Sequence, residues 1–492
     1  MRTDLRGLTD VSMPQTQIKK PKTEIMSDLD TIAAVSTPPG EGGIGIIRIS
    51  GSNAFDCAGR VFFPAGERQK PLKERYLHYG LMKDAGGRVL DNGCVVLMKG
   101  PASYTGEDVA ELQCHGSTLV LREVLASVLK AGARLAEPGE FTKRAFLAGK
   151  LDLAQAEAVI DIIRASTRAA LASARGRLGG AFSRRVEEIK ETLVELLAGI
   201  EAELDFPEEE EVEPMASCAI IEVLERAEER LEKLLATFDE GRALREGVRV
   251  LILGRPNVGK SSLLNLLLDE QRAIVTPVPG TTRDVIEEVV NIRGLPVRLM
   301  DTAGLRDTAD PVESIGVANA REKVKDASLV LYVVDASEPS SFHLDIEELA
   351  RVGKEDDAKV IVIANKSDLA GKQKDAAEKA FEGFLMTHTC AVDGAGLAGL
   401  KDAIFASVVH RAPDEEAQTP AGELVASLRH STALSGALEG VVRAREAATN
   451  GVEKEFVATD VRWAVDRLGE ITGETTTEDI LERIFSTFCI GK

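Results

Sequence analysis

The sequence predicts a multidomain chain: an N-terminal α+β domain, an α-helical bundle domain, and an α/β P-loop domain inserted into the bundle. Three observations carry that reading. The 492 residues exceed what one core organises at roughly 100 to 200 residues per domain. Near-continuous apolar runs at 248–254, 328–334 and 359–364, separated by helical stretches at 261–268 and 317–324, are the pattern of parallel strands buried on both faces. Helical periodicity precedes that segment and returns after it, as an insertion requires.

Residues 1–26 are polar and are expected to be a disordered extension, or sequence upstream of a true start at Met26. In 27–140, β-prone runs such as 44–49 and 94–98 alternate with glycine-rich turns, and one helix is expected at 119–129. Gly40, Gly42 and Gly45 formally match a dinucleotide-binding fingerprint. The β-prone 46–49 follows where a helix would be needed, so no dinucleotide site is assigned there. From 141 to 246 Leu153, Ala156, Val159, Ile160 and Ile163, then Val186, Ile189, Leu193, Leu196 and Leu197, recur at helical spacing. The acidic run 201–214, bracketed by Pro207 and Pro214, reads as a solvated connection between helices and not as a metal cage. The α/β domain spans 247–410, a Pro- and acid-rich linker follows at 412–422, and helices fill the rest of 411–492, with Phe456 and Trp463 expected in its core.

Composition excludes several functions. A net charge of -20 argues against a protein that coats nucleic acid or anionic membrane through its overall field. Aromatics at 4% disfavour a base-stacking platform. The six cysteines lack metal or disulfide-scaffold spacing and fit a reducing cytosol, and no histidine has partners at metal-ligand spacing. No apolar run spans a bilayer and no signal peptide is visible, so a cytoplasmic protein without a membrane partner is expected.

Gly254-Arg-Pro-Asn257-Val258-Gly259-Lys260-Ser261 lies between a strand and a helix, the setting of a phosphate-binding loop. Its glycines let backbone N–H groups curl around the phosphates, Lys260 neutralises their charge, and the Ser261 hydroxyl ligates Mg²⁺, with Ser262 beside it. Asp301-Thr302-Ala303-Gly304 supplies a carboxylate for the Mg²⁺ shell and an amide for the γ-phosphate, and Thr282 completes that shell as the switch threonine. In Asn365-Lys366-Ser367-Asp368 the carboxylate of Asp368 accepts from guanine N1–H and the 2-amino group, a donor pair that adenine lacks, so the site selects GTP. Leu305 stands where Ras-like enzymes carry the water-orienting glutamine, so hydrolysis is organised differently. The Asn257 carbonyl offers a ligand for a monovalent cation beside the phosphates.

From 27 to 492 the chain resembles the MnmE (TrmE) family of tRNA-modification GTPases. The resemblance is carried by Thr37-Pro-Pro-Gly40, the segment 42–51, Tyr104-Thr-Gly-Glu-Asp108 with Glu111, Lys150-Leu-Asp-Leu-Ala-Gln-Ala-Glu157, the GTPase boxes and the terminal Phe488-Cys489-Ile490-Gly491-Lys492. It implies an N-terminal domain that binds a 5,10-methylene- or 5-formyl-tetrahydrofolate through Arg48, Glu111, Lys150 and Lys492 and forms a homodimer. It implies K⁺ ligands at Asn257, Thr276, Val278 and Thr281, Mg²⁺ at Ser261 and Thr282, and a water-orienting acid at Glu313, with Cys489 active in the modification chemistry. The base-contacting box reads Cys390-Ala391, where GTPases usually carry Ser-Ala. Together with an FAD-carrying partner of the MnmG type, in a heterotetramer, such a protein modifies C5 of the wobble uridine, U34, of certain tRNAs. The rival function is a GTP-switched assembly factor for ribosomal or other RNA. The GTPase boxes do not separate the two, whereas folate binding by 26–145 does.

Overall fold

The computed structural model describes residues 30–65, 71–206, 215–269, 288–300, 324–352, 359–371, 374–409 and 419–492. The expected extension 1–26 and all but the last residue of the helical stretch 317–324 lie outside them.

The N-terminal domain is a seven-stranded sheet in the order β3-β4-β5-β6-β2-β1-β7: β1 Ile32–Val35, β2 Gly42–Ser50, β3 Phe62–Pro64, β4 His78–Lys83, β5 Val89–Met98, β6 Val109–Gly116 and β7 Arg134–Leu135. Alternation sets its core: Ile47 and Ile49 of β2 and Ala110 and Leu112 of β6 are buried, while Arg48 and Glu111 between them point to the other face. Helices Ala54–Val61 and Thr118–Lys130 cover the apolar face. The helix expected at 119–129 is thus present, and the glycine-rich 42–45 opens a strand.

The inserted domain is a six-stranded sheet, order β13-β12-β11-β8-β10-β9: β8 Val248–Leu253, β9 Glu288–Ile292, β10 Leu295–Met300, β11 Leu329–Asp335, β12 Lys359–Asn365 and β13 Leu385–His388. All pairings are parallel except β9 with β10. Every residue of β11 is buried, which explains its unbroken apolar run: helices cover both faces.

The helical domain draws its core from both sides of this insertion. Val186, Leu193 and Ile200 of helix Ala181–Asp205 and Leu224 and Leu231 of Ser217–Leu235 pack with Leu434 and Val441 of Leu428–Thr449 and Val461 and Leu468 of Lys454–Thr472. Replacing one such leucine by alanine costs about 2–5 kcal/mol. Three expectations need correction. The first residues of the acidic run, through Asp205, close a helix and are not a connection. Ile163 is exposed. Phe456 and Trp463 are 57% and 43% exposed, because the buried stripe of their helix is Val457, Val461, Ala464, Leu468 and Ile471, and both aromatics lie one position off it. Trp463 is covered instead by the Arg467 guanidinium, 4.3 Å from the ring centroid.

Candidate functional sites for nucleotide and one-carbon donor

The phosphate-binding loop leaves the C-terminal end of β8, in the middle of the parallel sheet, where α/β folds place ligands. Two glycines are required by close approach. At Gly254 (φ +136°) a Cβ would lie 2.2 Å from Val333 O, and at Gly259 (φ +98°) 2.2 Å from Asn365 Nδ2. Asn257 is left-handed at φ 62°, a conformation asparagine tolerates better than most residues, and it is exposed at the loop apex. Helix Lys260–Asp269 follows, anchored through buried Val258, Leu263, Leu264 and Leu267. The Lys260 ammonium donates to Gly254 O and Arg255 O, both at 2.7 Å, so it lies across the loop it must serve. Ser261 is half-buried on the first turn and Ser262 is exposed.

Asn365, the last residue of β12 and 1% exposed, ties three segments together. Its Nδ2 donates to Val258 O at 2.9 Å, and its Oδ1 accepts from Ala391 N at 3.1 Å and Thr389 Oγ1 at 3.3 Å. The phosphate loop, the guanine box and the Cys390-Ala391 box therefore form one hydrogen-bonded unit. Lys366, left-handed at φ 57°, donates to Asp335 Oδ2 at 2.6 Å. Burial alone would raise the Asp335 carboxyl, but the Lys366 ammonium and the Ser337 hydroxyl and amide outweigh it and hold it below the ordinary carboxylate value. Asp335 ends β11 and was missed in the sequence, because an acid closing a strand has no local signature. Asp368 is exposed at the turn after Lys366, free to meet a base. Cys390 is buried, and Asp393 and then Asp368 bias its thiol toward the protonated form. Thr276, Val278, Thr281, Thr282, Asp301, Thr302, Ala303, Gly304 and Glu313 lie outside the described residues.

In the N-terminal domain the antiparallel register sets Arg48 directly opposite Glu111, and Arg48 Nε donates to Glu111 Oε1 at 2.9 Å. The pair is 18% and 16% exposed, with the guanidinium 5.5 Å from the Tyr104 ring centroid and 5.8 Å from that of Phe141. Phe141 is fully buried, so the Arg48–Glu111 pair and the Tyr104 ring are the groups that a flat ligand with hydrogen-bonding edges would meet. Lys150 is exposed and runs over Gly106: a Cβ there would lie 3.7 Å from Lys150 Cε. The loop carrying Tyr104 is held from behind by Arg144, 3% exposed, which donates to both oxygens of Glu107 at 3.1 Å, while Ser50 Oγ donates to Glu107 Oε2 at 2.7 Å. Arg144 carried no signal in the sequence, since the Glu107 it holds is 37 residues away.

The terminal segment folds back onto this sheet. Phe488 is buried against Leu153, Ile160 and Phe485, Ile490 bridges Pro138, and Ser36 Oγ donates to Gly491 O at 3.1 Å. Only glycine fits at 491 (φ +96°), where a Cβ would lie 2.2 Å from Val35 O. Val35 pairs with Ile47, so Gly491, the residue before Lys492, lies against the β1 position opposite the residue that precedes Arg48. Cys489 is exposed. Part of the 150–157 motif is architectural: Asp152 and Gln155 form a reciprocal capping box at 2.8 and 2.9 Å, and Glu157 accepts from Arg429 Nε at 2.7 Å.

A β8–loop–helix phosphate site joined to a guanine box, set between the halves of a helical bundle, defines a multidomain P-loop GTPase. The family profile described as MnmE helical domain matches residues 153–489, and that described as GTP-binding protein TrmE N-terminus matches 31–150. Relatives named tRNA modification GTPase MnmE from Geobacter sulfurreducens and Geobacter metallireducens are each 48% identical, covering 94% of this chain and 99% of theirs. That from Aquifex aeolicus is 45% identical over 94% of this chain and 100% of its own. Among solved structures, the G domain of the T. maritima FeoB iron transporter is 27% identical over 33% of this chain and 99% of that one, with a TM-score of 0.24. The chain belongs to the MnmE family of tRNA modification GTPases, and it is a GTP-hydrolysing enzyme of tRNA modification. No helix among its described residues is long and apolar enough to cross a membrane.

Proposed function

We propose that this enzyme couples K⁺-stimulated, Mg²⁺-dependent GTP hydrolysis to the addition of an aminomethyl or carboxymethylaminomethyl group at C5 of U34 in certain tRNAs. It does so in the cytoplasm, as a homodimer joined through its N-terminal domain and assembled with an FAD-carrying flavoprotein of the MnmG type. The observation that carries this reading is the coexistence, on one chain, of the Asn365-centred guanine-nucleotide site and the Arg48–Glu111 pair between Tyr104 and Phe141. The domains implied are 27–140, 141–246, 247–410 and 411–492.

In the nucleotide domain Lys260 and the loop amides bind the β- and γ-phosphates, Asp368 reads guanine, and the Ala391 amide, donating to Asn365 Oδ1, ties the Cys390-Ala391 box to the guanine box. The glycine-shaped loop supports this, since side chains at 254 or 259 would collide with Val333 O or Asn365 Nδ2 and force the loop out of its curl. Ser261 and Thr282 would hold Mg²⁺, and Asn257, Thr276, Val278 and Thr281 would hold K⁺; these cations supply positive charge at the transferring phosphoryl group. Glu313 orients the attacking water in place of the glutamine replaced by Leu305, with Asp301, Thr302, Ala303 and Gly304 sensing the γ-phosphate. In the N-terminal domain Arg48, Glu111, Lys150 and Lys492 bind and orient a tetrahydrofolate derivative, which supplies the one-carbon unit, and Cys489, in the same terminal segment as Lys492, takes part in the modification chemistry.

The test compares GTP turnover in K⁺ and Na⁺ at equal ionic strength, in wild type and in Glu313→Ala. Faster turnover in K⁺, and loss of turnover without loss of GTP affinity in the variant, is the expected result. Equal rates in the two salts would remove the potassium mechanism.

A further inference from the structure

A cleft between the helical domain and the inserted domain concentrates positive charge that neither site above uses. Its walls include Asp161 and Arg164 from helix Leu153–Arg164, Ser173 and Arg177 from helix Arg168–Leu178, Arg245 just ahead of β8, and Arg298 on β10. In a chain of net charge -20, four arginines and the Asp161 carboxylate are the charged groups that line the hollow among the described residues, with Glu157 close enough to act on Arg177 and Arg245.

The Asp161 carboxylate is already divided. Arg177 Nη2 donates to Asp161 Oδ2 at 2.8 Å and Arg245 Nε donates to Oδ1 at 2.9 Å. Arg177 is 3% exposed and also donates to Ser173 Oγ at 3.0 Å. Arg164, exposed on the rim, is held by a neutral acceptor, Thr487 O, at 2.8 Å, and that bond orients its guanidinium without cancelling the charge. Ser166 and Ala170 bring the N-terminal end of helix Arg168–Leu178 to the same wall, adding the positive pole of a helix. Burial lowers the Arg177 pKa, which Asp161 and Glu157 only partly offset, whereas the same two carboxylates outweigh burial at Arg245 and raise its pKa.

We propose that this cleft binds a phosphate oxyanion through Arg164, Arg177, Arg245 and Arg298. Planar guanidinium forks match the oxygens of a tetrahedral phosphate, and Arg164 on the rim brings a charge that no ion pair among the described residues takes up. The phosphate comes from one of two sources: inorganic phosphate released by GTP hydrolysis, or a backbone phosphate of the tRNA. Occupancy braces β10 against the helical domain. Arg298 Nε donates to Glu246 O at 2.8 Å, Gly294 at the β9–β10 turn would bring a Cβ within 3.2 Å of Ala169 Cβ, and Met300 directly precedes Asp301 in the sequence. The site is independent of the folate reading.

The experiment uses the full chain saturated with GDP, so that the phosphate loop is filled, and equilibrium dialysis against ³²P-labelled inorganic phosphate. About one phosphate per chain is expected, and Arg164→Gln and Arg298→Gln should each weaken its retention about tenfold with unchanged melting. Arg164 is exposed, so its variant folds and decides the matter even if Arg298→Gln does not fold. Displacement of the label by unmodified tRNA transcript assigns the site to the RNA backbone; retention in its presence assigns it to free phosphate. No retention beyond bound GDP, or wild-type retention in Arg164→Gln, overturns the proposal.

Discussion

The two candidate sites are built in opposite ways. In the inserted domain, short contiguous segments follow the ends of the parallel strands β8 and β12, which flank β11, and one side chain, Asn365, ties them together. In the N-terminal domain the residues come from 48, 111, 150 and 492, and the chain's last residues must travel back to β1 to complete the set. The first site is local in sequence and therefore robust to what happens elsewhere. The second depends on long-range closure, so it should be lost by changes that leave the first intact.

The largest expected effect tests the local site. Lys260→Ala removes the ammonium that donates to Gly254 O and Arg255 O and should lower GTP turnover at least about 100-fold in a steady-state assay, with folate affinity unchanged. Deleting 489–492 should do the reverse. Loss of the Ile490 bridge and the Gly491 contact is expected to weaken binding of a tetrahydrofolate about 30-fold by calorimetry, while GTP turnover stays within about twofold. Equal loss of both activities would erase the distinction.

Asp335→Ala sharpens the comparison inside the nucleotide site. It frees Lys366 from its carboxylate, and GTP affinity should fall about tenfold in a fluorescent-nucleotide titration. The smallest effect lies between the sites. His430 is 1% exposed, stacked on Phe182 at 5.0 Å, and accepts from Arg429 Nη2 at 2.9 Å. Burial, then the charge of Arg429, holds its pKa well below 6.5. The folded state therefore refuses a proton that the unfolded state accepts, so its stabilisation is complete above about pH 6.5 and is lost as pH falls below it, at up to about 1.4 kcal/mol per pH unit. Thermal melting should decline from pH 7.5 to 5.5, and His430→Leu should flatten that decline.

How legible each site was follows from the same contrast. Gly254 to Ser261 and Asn365 to Asp368 are recognisable because the backbone shape they need is encoded within a few residues, and the full burial of β11 matches its unbroken apolar run. Asp335 was not recognisable, since its role arises only when β11 and β12 lie side by side. Arg48, Glu111, Lys150 and Lys492 entered through family resemblance alone; periodicity gives no reason to join them, although the β2–β6 register does once it is known. Arg144 escaped notice because it works through Glu107. Trp463 was misassigned to the core by its type, while the stripe of Val457, Val461, Ala464 and Leu468 decides which face is buried.

The measurement that bears most directly on the coupling of the two sites is nucleoside analysis of tRNA from cells lacking this protein, complemented separately with wild type, Lys260→Ala and the chain truncated after Phe488. The account predicts that wobble uridine lacks its C5 group without the protein, that wild type restores it, and that neither variant does. Full modification in the deletion strain, or restoration by either variant, would contradict it.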